Sequence, residues 1–478
     1  MQGLKFELNF ADYSVIILYV ALVIWLGFRA SLNKKDDSRE SFLLAGRKLT
    51  LPLFVASLVS TWYGNILGVG EFVYGNGLVA WACFGLPYYL AGAAFAILIA
   101  KKVRNSNVHT IPEQIEKRFG VFAGKIASLM VLLISIPAAY ILMIGIIIQM
   151  ISGFSLLISI IIGAVLSSAY LFKGGLKSDV MANTAQFVLM FIGFSVLLLF
   201  SMNSGLSPEL ASKQLPQGHL KLFGNFSWQI IISWYLIALQ TFVDPSFHQR
   251  CSAAKDSYTA KKGILVSIVF WALFDFLTLT TGLYARAMFE NINPVYAYPV
   301  LSNAILPHFW KGLFIVSMLS PIMAAFDGYS FISAATIGND ILSPLFKRTK
   351  FSNNIRFLTN TGLVFSVVLA VMLALILPSA IQLIYKTASI AVPALLIPIL
   401  LSFSRRIKIS SASVILIMIL SGGTAMLWTF LRMYSFGRYG GLMQVVDLIE
   451  PMIAGIVVSA IVSIFVIMSG KKQNVDNI

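Results

Sequence analysis

Long apolar stretches and short polar gaps alternate along nearly the whole chain. A helix rises about 1.5 Å per residue, so about 20 apolar residues cross a hydrocarbon core about 30 Å thick. The pattern predicts thirteen membrane-spanning helices, over residues 12–30, 51–75, 77–100, 123–150, 155–172, 178–200, 228–249, 262–286, 311–341, 354–376, 380–403, 411–432 and 450–469. The fold class is therefore predicted to be an all-α polytopic membrane protein.

The lysine and arginine residues are concentrated in every second gap between these stretches. Of the 35 basic residues, 27 fall on this one side, in clusters at 29–48, 101–125, 173–177, 250–262, 347–356, 405–408 and 471–472. Short loops rich in lysine and arginine remain in the cytoplasm. The N-terminus is therefore predicted outside and the C-terminus in the cytoplasm, as an odd number of spans requires.

The composition excludes an ordinary soluble domain, because 58% of the 478 residues are hydrophobic and only 11% are charged. The net charge of +16 does not indicate a nucleic-acid partner, since the basic residues face an anionic leaflet and form no aromatic–basic groove. No gap is long enough for a soluble domain. Residues 1–478 are therefore predicted to form one membrane domain, with membrane lipids as its surroundings.

Several other classes of site have no sequence signal. The first apolar stretch lacks a basic leader and a small-residue cleavage site, so it is predicted to be a retained helix and not a signal peptide. Cys83 and Cys251 form no disulfide framework. The four histidines have no metal-ligand spacing, and no set of nucleophile, base and orienting residue is present. We therefore predict no catalytic residues, no metal site and no cofactor.

Two of the predicted spans have sequences that are unfavourable for a continuous helix. The second contains Gly64, Gly68 and Gly70, and the seventh contains Asp244 and Pro245. Glycine and proline weaken a helix, and irregular backbone persists in a bilayer only where protein buries it or a watery cavity borders it. Both spans are predicted to be interrupted at a binding cavity. Kinked helices packed through small residues would give the same pattern.

The two interrupted spans are five spans apart, so they enter the membrane in opposite senses. Residues 51–200 and 228–403 would then form two inverted repeats of five spans, each opening on an interrupted helix. Such pairs indicate a carrier with a solute site near the middle of the membrane. Residues 12–30, 411–432 and 450–469 are predicted to be peripheral helices.

Five segments in order resemble the sodium:solute symporter family, which includes proline, pantothenate and sodium–sugar carriers. These segments are Phe42–Leu49 (FLLAGRKL), Thr110–Gly120 (TIPEQIEKRFG), Gly174–Gln186 (GGLKSDVMANTAQ), Gln249–Asp256 (QRCSAAKD) and Met323–Ile341. The resemblance implies a LeuT-like fold with 13 spans, interrupted at spans 2 and 7. It also implies transport by alternating access.

The resemblance further implies a sodium site between spans 2 and 9. The family's backbone ligands fall at Leu58 and Thr61, but its two hydroxyl ligands fall at Ala324 and Ala325. Hard cations need several oxygen ligands. The ion site is therefore predicted to be degenerate.

An acidic residue that the family places on the sodium pathway falls at Asn183 in this chain. One turn earlier the chain has Asp179, and residues four apart share a helix face. Asp179 and Asn183 are therefore candidates for an ion or proton pathway, together with Asp327. Asp327 matches a family aspartate and is expected to order the bend of span 9.

Lys386 lies in span 11, where an ammonium group is costly unless it is paired or reaches water. It either extends its amine to the membrane surface or contacts an anionic solute or a buried acid such as Glu71. Asp275 is expected to be a packed, hydrogen-bonded acid. The roles of these three residues stay open at this point.

Solute-binding candidates come from the two interruptions. They are Trp62, Tyr63 and Asn65 in span 2 and Gln240 and Thr241 in span 7, with Lys386 as a further candidate. Gln240 falls where sugar carriers of the family place an aromatic gate, which disfavours a stacked hexose. The sequence does not identify the solute.

Together these features predict a secondary active transporter, a monomer in a bacterial inner membrane, that moves a small polar organic solute. Na⁺ or H⁺ is the possible coupling ion. Uncoupled uniport, exchange and a carrier-fold sensor or receptor remain alternatives.

Overall fold

In a computed structural model, residues 5–31, 38–346, 354–377, 380–404, 407–435 and 449–475 are described. The described part is helical, and its only β-type pairing is one isolated bridge between Leu49 and Ala254. Seven of the basic residues in the predicted cytoplasmic clusters lie outside the described residues: Lys34, Lys35, Lys347, Arg348, Lys350, Arg405 and Arg406.

The first half of the described chain contains eleven helices. They are α1 (Phe10–Ser31), α2 (Arg39–Leu44), α3 (Leu51–Trp62), α4 (Ile66–Asn76), α5 (Leu86–Leu98), α6 (Ala100–Asn105), α7 (Ile111–Phe119), α8 (Val121–Ser135), α9 (Ala138–Ser152), α10 (Leu156–Ser168) and α11 (Leu171–Met202). A short π-helix, Trp81–Gly85, leads directly into α5.

The second half contains another eleven helices within the described residues. They are α12 (Pro208–Gln214), α13 (Trp228–Ile237), α14 (Pro245–Ala253), α15 (Ser257–Met288), α16 (Ala297–Ile305), α17 (Trp310–Ala335), α18 (Ser343–Leu345), α19 (Ile355–Ile376), α20 (Ala380–Ser402), α21 (Ser411–Ser435) and α22 (Pro451–Val475). A π-helical segment, Thr336–Leu342, continues α17.

The described chain has 12 helical segments that are long and apolar enough to cross a membrane, and some of them consist of two consecutive helices. They coincide with twelve of the thirteen predicted spans. The predicted fifth span corresponds to α10, which has only 13 residues and is therefore about 20 Å long. The prediction of a many-spanned helical protein is confirmed, and the fifth span is shorter than expected.

The ninth span is the centre of the bundle. Of its most apolar window 94% is buried, and α17 packs against α1, α3, α9, α11 and α19. The first span is only 22% buried and the last is 28% buried in the same measure. Polar side chains on a helix that is buried on all sides need hydrogen-bond partners. An internal site is therefore expected to lie against α17.

The fourth predicted span differs from expectation because it is not one helix. It divides into α8 and α9 at Ile136, whose backbone is extended, followed by Pro137. Proline cannot donate the backbone hydrogen bond that a continuous helix needs. The predicted sixth span also begins earlier, at Leu171, and turns sharply at Gly175, which has a φ of +56°.

Candidate functional site

The second span changes its helical form in the middle of the bundle. Helix α3 ends at Trp62, a 3-10 turn covers Tyr63–Asn65, and α4 begins at Ile66. Gly64 allows this turn to approach α17, because a Cβ atom there would lie 2.1 Å from the Cβ atom of Ala325. The turn therefore packs directly on the ninth span.

The seventh span changes its form in a corresponding way. Helix α13 ends at Ile237, a 3-10 turn covers Ala238–Phe242, and α14 begins at Pro245. Asp244 caps α14, because its Oδ1 accepts a hydrogen bond from the Ser246 N–H at 2.8 Å. Its Oδ2 accepts a second one from the Tyr329 hydroxyl at 2.9 Å. The start of α14 is thereby joined to α17.

A cavity of about 570 Å³ lies between the two turns. Four of the predicted solute-binding residues line it: Trp62, Tyr63, Asn65 and Gln240. The lining continues past Ser227 at the start of α13 to Glu450 and Met452 at the start of α22, so the cavity reaches one end of the bundle. A volume of this size suits a small organic molecule.

Two of the predicted solute-binding residues are not part of this lining. Thr241 is 1% exposed, and its hydroxyl group has no hydrogen-bond partner among the described residues. Lys386 is half-buried, and although Tyr385 and Thr387 line the cavity, Lys386 itself does not. No ion pair joins Lys386 to Glu71 among the described residues.

Aromatic rings form much of the cavity wall. The Trp62 ring packs edge-on against Tyr88 and Phe247, with ring centroids 5.2 and 5.5 Å apart. Tyr140 and Tyr329 are stacked, with centroids 5.3 Å apart. Tyr88 of α5 also accepts a hydrogen bond from Gln240 Nε2 at 2.6 Å, which links the third span to the turn of span 7. Rings held by such contacts present flat, rigid surfaces to a ligand.

Asp275 of α15 is also part of the cavity wall. Its Oδ1 accepts a hydrogen bond from the Tyr63 hydroxyl at 2.6 Å, and its Oδ2 accepts one from the Tyr89 hydroxyl. The expectation of a packed, hydrogen-bonded acid therefore describes its contacts. It did not anticipate that the carboxylate borders the cavity.

The predicted ion-site residues lie together beside the turn of span 2. Leu58, Ala324 and Ala325 are fully buried, and Thr61 is 2% exposed. A Cβ atom at Gly328, one turn after Ala324, would lie 3.4 Å from Thr61 Cγ2 and 3.1 Å from Arg250 Nη2. Spans 2 and 9 are therefore in contact where the resemblance expects the ion.

Arg250 contributes a guanidinium group to this same position. Its Nη2 lies 2.9 Å from Asp179 Oδ2 and donates to Thr61 Oγ1 at 3.2 Å. Its Nε donates to Ser57 Oγ at 3.2 Å, and its Nη1 donates to Gln249 Oε1 at 2.9 Å. The side chains of Arg250 and Asp179 are both fully buried. The assignment of Arg250 to a cytoplasmic loop was therefore wrong, because α14 continues inward from Ala253 and carries the residue into the bundle.

Asp179 and Asn183 share one face of α11, as their spacing predicted. Asn183 Nδ2 donates to Asp179 Oδ1 at 3.1 Å and to Ser57 Oγ at 3.2 Å. Asp327 lies nearby on α17 and accepts a hydrogen bond from the Tyr170 hydroxyl through Oδ2, while its Oδ1 has no partner in the described part of the chain. A carboxylate, an amide and a guanidinium thus form one buried polar network between spans 2, 6 and 7.

The model of the "Sodium:solute symporter family" matches residues 42–418 of the chain. Among curated proteins, the human sodium/myo-inositol cotransporter is 26% identical over 430 residues, which cover 76% of this chain and 58% of that protein. The sheep sodium/glucose cotransporter 1 is 25% identical over 399 residues, which cover 69% of this chain and 57% of that protein. The matched regions thus span less than three fifths of the length of these relatives.

Solved structures with the same fold include a Na⁺-coupled sialic acid symporter in a substrate-bound, outward-open state. It has a TM-score of 0.76 at 15% identity, covering 95% of this chain and 98% of that one. A nucleobase–cation symport-1 family transporter has a TM-score of 0.55 at 14% identity, covering 87% and 93%. These LeuT-fold neighbours and the curated relatives are membrane transporters, not enzymes. Since the family model matches far more than half of its residues, the chain belongs to the sodium:solute symporter family.

Proposed function

We propose that the chain is a secondary carrier that moves a small polar organic solute across a cell membrane by alternating access. The observation that carries this proposal is the cavity between the turns of spans 2 and 7. It is lined by Trp62, Tyr63 and Asn65 from one turn and by Gln240 from the other. In carriers built from inverted repeats, the solute binds between such interrupted helices.

The inverted-repeat arrangement belongs to this proposal. Residues 51–200 and 228–403 each open on a helix that is interrupted by a 3-10 turn. The similarity to LeuT-fold structures supports the same division. Rocking of one repeat against the other would expose the cavity to each side of the membrane in turn.

The cavity is open toward one end of the helix bundle and closed toward the other. The cavity reaches the ends that the basic-residue pattern predicts to be external, near Ser227 and Glu450. At the opposite ends, Leu49 N–H donates to the Ala253 carbonyl at 3.0 Å and Lys255 N–H donates to the Leu49 carbonyl at 3.0 Å. We infer that this described state is outward-facing and that the backbone bridge must separate when the carrier opens to the cytoplasm.

We further propose that transport is not coupled to sodium at the degenerate site, because Arg250 provides a fixed cation there. Thr61 and Ser57 already accept hydrogen bonds from the guanidinium, and Asp179 already pairs with it. An arginine remains charged in proteins. A sodium ion bound beside Thr61 would face this charge without the two hydroxyl groups that Ala324 and Ala325 lack.

The arginine itself belongs to a segment that resembles the family, so the difference lies in its surroundings. This chain places a carboxylate at Asp179 against the guanidinium and an amide at Asn183 where the family has an acid. The positive charge is thereby held in place by a permanent partner. Proton coupling, uniport and exchange remain compatible with this arrangement.

The carrier function is tested by counterflow in proteoliposomes loaded in turn with unlabelled sugars, amino acids and amines. We expect saturable uptake of at least one labelled solute. In a background free of Cys83 and Cys251, oxidation of a Leu49→Cys/Ala254→Cys variant should stop uptake, and reduction should restore it. Bridged residues of adjacent strands lie within disulfide distance. A binding protein with no counterflow for any solute would instead be a sensor.

The coupling proposal is tested without a solute by titrating the purified protein with sodium chloride against potassium chloride and following its thermal stability. We expect identical curves. The variant Ala324→Ser/Ala325→Ser restores hydroxyl groups while retaining Arg250, and its curves should also coincide. A saturable sodium-specific stabilisation of the unmodified protein would contradict the proposal. If only the variant gains a sodium response, the loss of sodium binding in the unmodified protein is caused by the missing hydroxyl groups and not by Arg250.

A further inference from the structure

We propose that the solute carries a positive charge, and this inference rests on the proposed carrier function of the cavity. Three carboxylates line the cavity: Asp244, Asp275 and Glu450. No lysine or arginine is present among the described residues of the lining. The wall therefore has an acidic character that a small organic cation would complement.

The three carboxylates differ in whether a protein cation compensates them. Glu450, at the open end, lies 2.5 Å from Arg432 Nη1 and also accepts a hydrogen bond from Tyr385. Deeper in the cavity, the hydrogen bonds that Asp244 and Asp275 accept from the described residues come from neutral groups. Among the described residues, no lysine, arginine or histidine nitrogen lies within 4.0 Å of either one. The two deep carboxylates thus lack a counter-charge in a membrane-embedded position.

An uncompensated carboxylate at membrane depth is costly, and a bound cation lowers that cost. A carboxylate has about four lone-pair sites. Asp275 uses one for Tyr63 and one for Tyr89, so its remaining sites are free to accept N–H donors from a solute. Charge-assisted hydrogen bonds of this kind are roughly twice as strong as neutral ones. An ammonium group would supply both the charge and the donors.

Aromatic rings meet Asp275 in one corner of the cavity. A Cβ atom at Gly85 would lie 3.0 Å from Asp275 Oδ2 and 2.5 Å from Trp81 Cδ1, so glycine is needed for the indole and the carboxylate to meet. Tyr63 completes the corner. Tryptophan and tyrosine faces attract cations through the negative charge of their ring faces. A carboxylate beside such rings is suited to an amine or a quaternary ammonium group.

An anionic solute would meet the opposite conditions. The one cation that the sequence offered as its partner, Lys386, does not line the cavity. A carboxylate solute would approach Asp275 and Asp244 with like charge. The geometry therefore points away from acidic solutes and toward amines.

The test compares three probes of similar shape and different charge: choline, its neutral isostere 3,3-dimethylbutan-1-ol, and the anion 3,3-dimethylbutanoate. Binding to the purified protein is followed by tryptophan fluorescence, because Trp62, Trp81 and Trp234 line the cavity. A panel of primary amines with neutral alcohol counterparts extends the series to smaller heads. We expect at least one cation to bind about tenfold more tightly than its neutral counterpart, and the anion not to bind.

The variant Asp275→Asn keeps the size of the side chain and can still bond both tyrosine hydroxyls. In this variant the cation should bind no more than about twofold more tightly than its neutral counterpart, compared with about tenfold in the unmodified protein. Glu209→Gln is the matched control, since it also removes one carboxylate but at a residue whose side chain is 79% exposed. This control should leave the preference unchanged.

Equal binding of charged and neutral probes, tighter binding of the anion, or failure of every cation in the panel would overturn the inference. If Asp275→Asn keeps the preference for cations and Asp244→Asn loses it, Asp244 and not Asp275 recognises the charge of the solute. The proposed carrier function can fail independently of the charge inference. If a cation binds with the expected preference but gives no counterflow, the carrier function is refuted and the charge inference still holds. Counterflow of a neutral or anionic solute instead would leave the carrier function intact and refute the inference.

Discussion

The buried pair of Arg250 and Asp179 provides the most quantitative prediction. Within the described residues, replacing Arg250 with methionine leaves Asp179 with only the Asn183 amide, and replacing Asp179 with asparagine leaves the guanidinium without a paired carboxylate. Two unit charges about 4 Å apart attract by about 4 kcal/mol at an effective dielectric constant of about 20. Removing one partner of a fully buried pair costs about 3–5 kcal/mol. Each single substitution should therefore lower the unfolding free energy by about that amount.

The double variant Asp179→Asn/Arg250→Met leaves no unpaired charge. Because its two groups are neutral, its cost should be at least about 2 kcal/mol smaller than the sum of the single costs. The assay is unfolding of the purified protein in mixed micelles with increasing dodecyl sulfate, followed by tryptophan fluorescence. The exposed pair of Lys213 and Glu209 is the control, since exposed pairs contribute little. Single variants that cost less than about 1 kcal/mol, or costs that simply add, would refute the view that the guanidinium is held by Asp179.

Three further predictions concern close contacts and one buried histidine. Gly64→Ala places a methyl group 2.1 Å from the Ala325 Cβ atom. It should therefore destabilise the protein by about 1–3 kcal/mol in thermal unfolding. An unchanged stability would contradict the tight packing of this turn. Gly175→Ala combines a φ of +56° with a Cβ atom 2.4 Å from the Phe42 carbonyl oxygen. It should lower the unfolding free energy by about 1–3 kcal/mol or reduce the yield of folded protein. A melting curve equal to that of the unmodified protein would refute the backbone strain. Burial lowers the pKa of His219, so the unfolded chain binds the proton more readily and stability should fall as the pH drops through about 6.5. His219→Gln should flatten the dependence of melting temperature on pH between about 7.5 and 5.5, and an equally steep profile would exclude this histidine.

The span pattern could be predicted from the sequence because it depends only on length and hydropathy. Twelve of the predicted spans coincide with helices long enough to cross a membrane. The prediction of interruptions in spans 2 and 7 rested on Gly64 and Pro245, whose backbone effects are local, and 3-10 turns lie at Tyr63–Asn65 and Ala238–Phe242. The division of the fourth span at Pro137 was missed, although proline is itself a local signal.

The tertiary partners were not accessible in the same way. Arg250 has the same sequence context as a loop residue, and only the path of α14 shows that it contacts Asp179 and Thr61. Asp275 gave no spacing signal, because Tyr63 and Tyr89 reach it from other helices. Hydropathy records how apolar a segment is. It does not record which polar groups meet across helices that are far apart in the chain.

The central claim, alternating access around the cavity, is tested most directly by labelling single cysteines from each side of oriented vesicles. In a background free of Cys83 and Cys251, Ser233→Cys in the cavity should react with a membrane-impermeant maleimide from the side on which the cavity opens. Ser252→Cys, which is 3% exposed in the closed half, should react only from the opposite side and more slowly.

The Leu49→Cys/Ala254→Cys disulfide supplies the decisive comparison. With the bridge oxidised, labelling at residue 252 should cease while labelling at residue 233 continues, and reduction of the bridge should restore labelling at residue 252. Labelling at residue 252 that persists at the same rate with the bridge closed, or labelling at residue 233 from both sides with the bridge closed, would contradict alternating access.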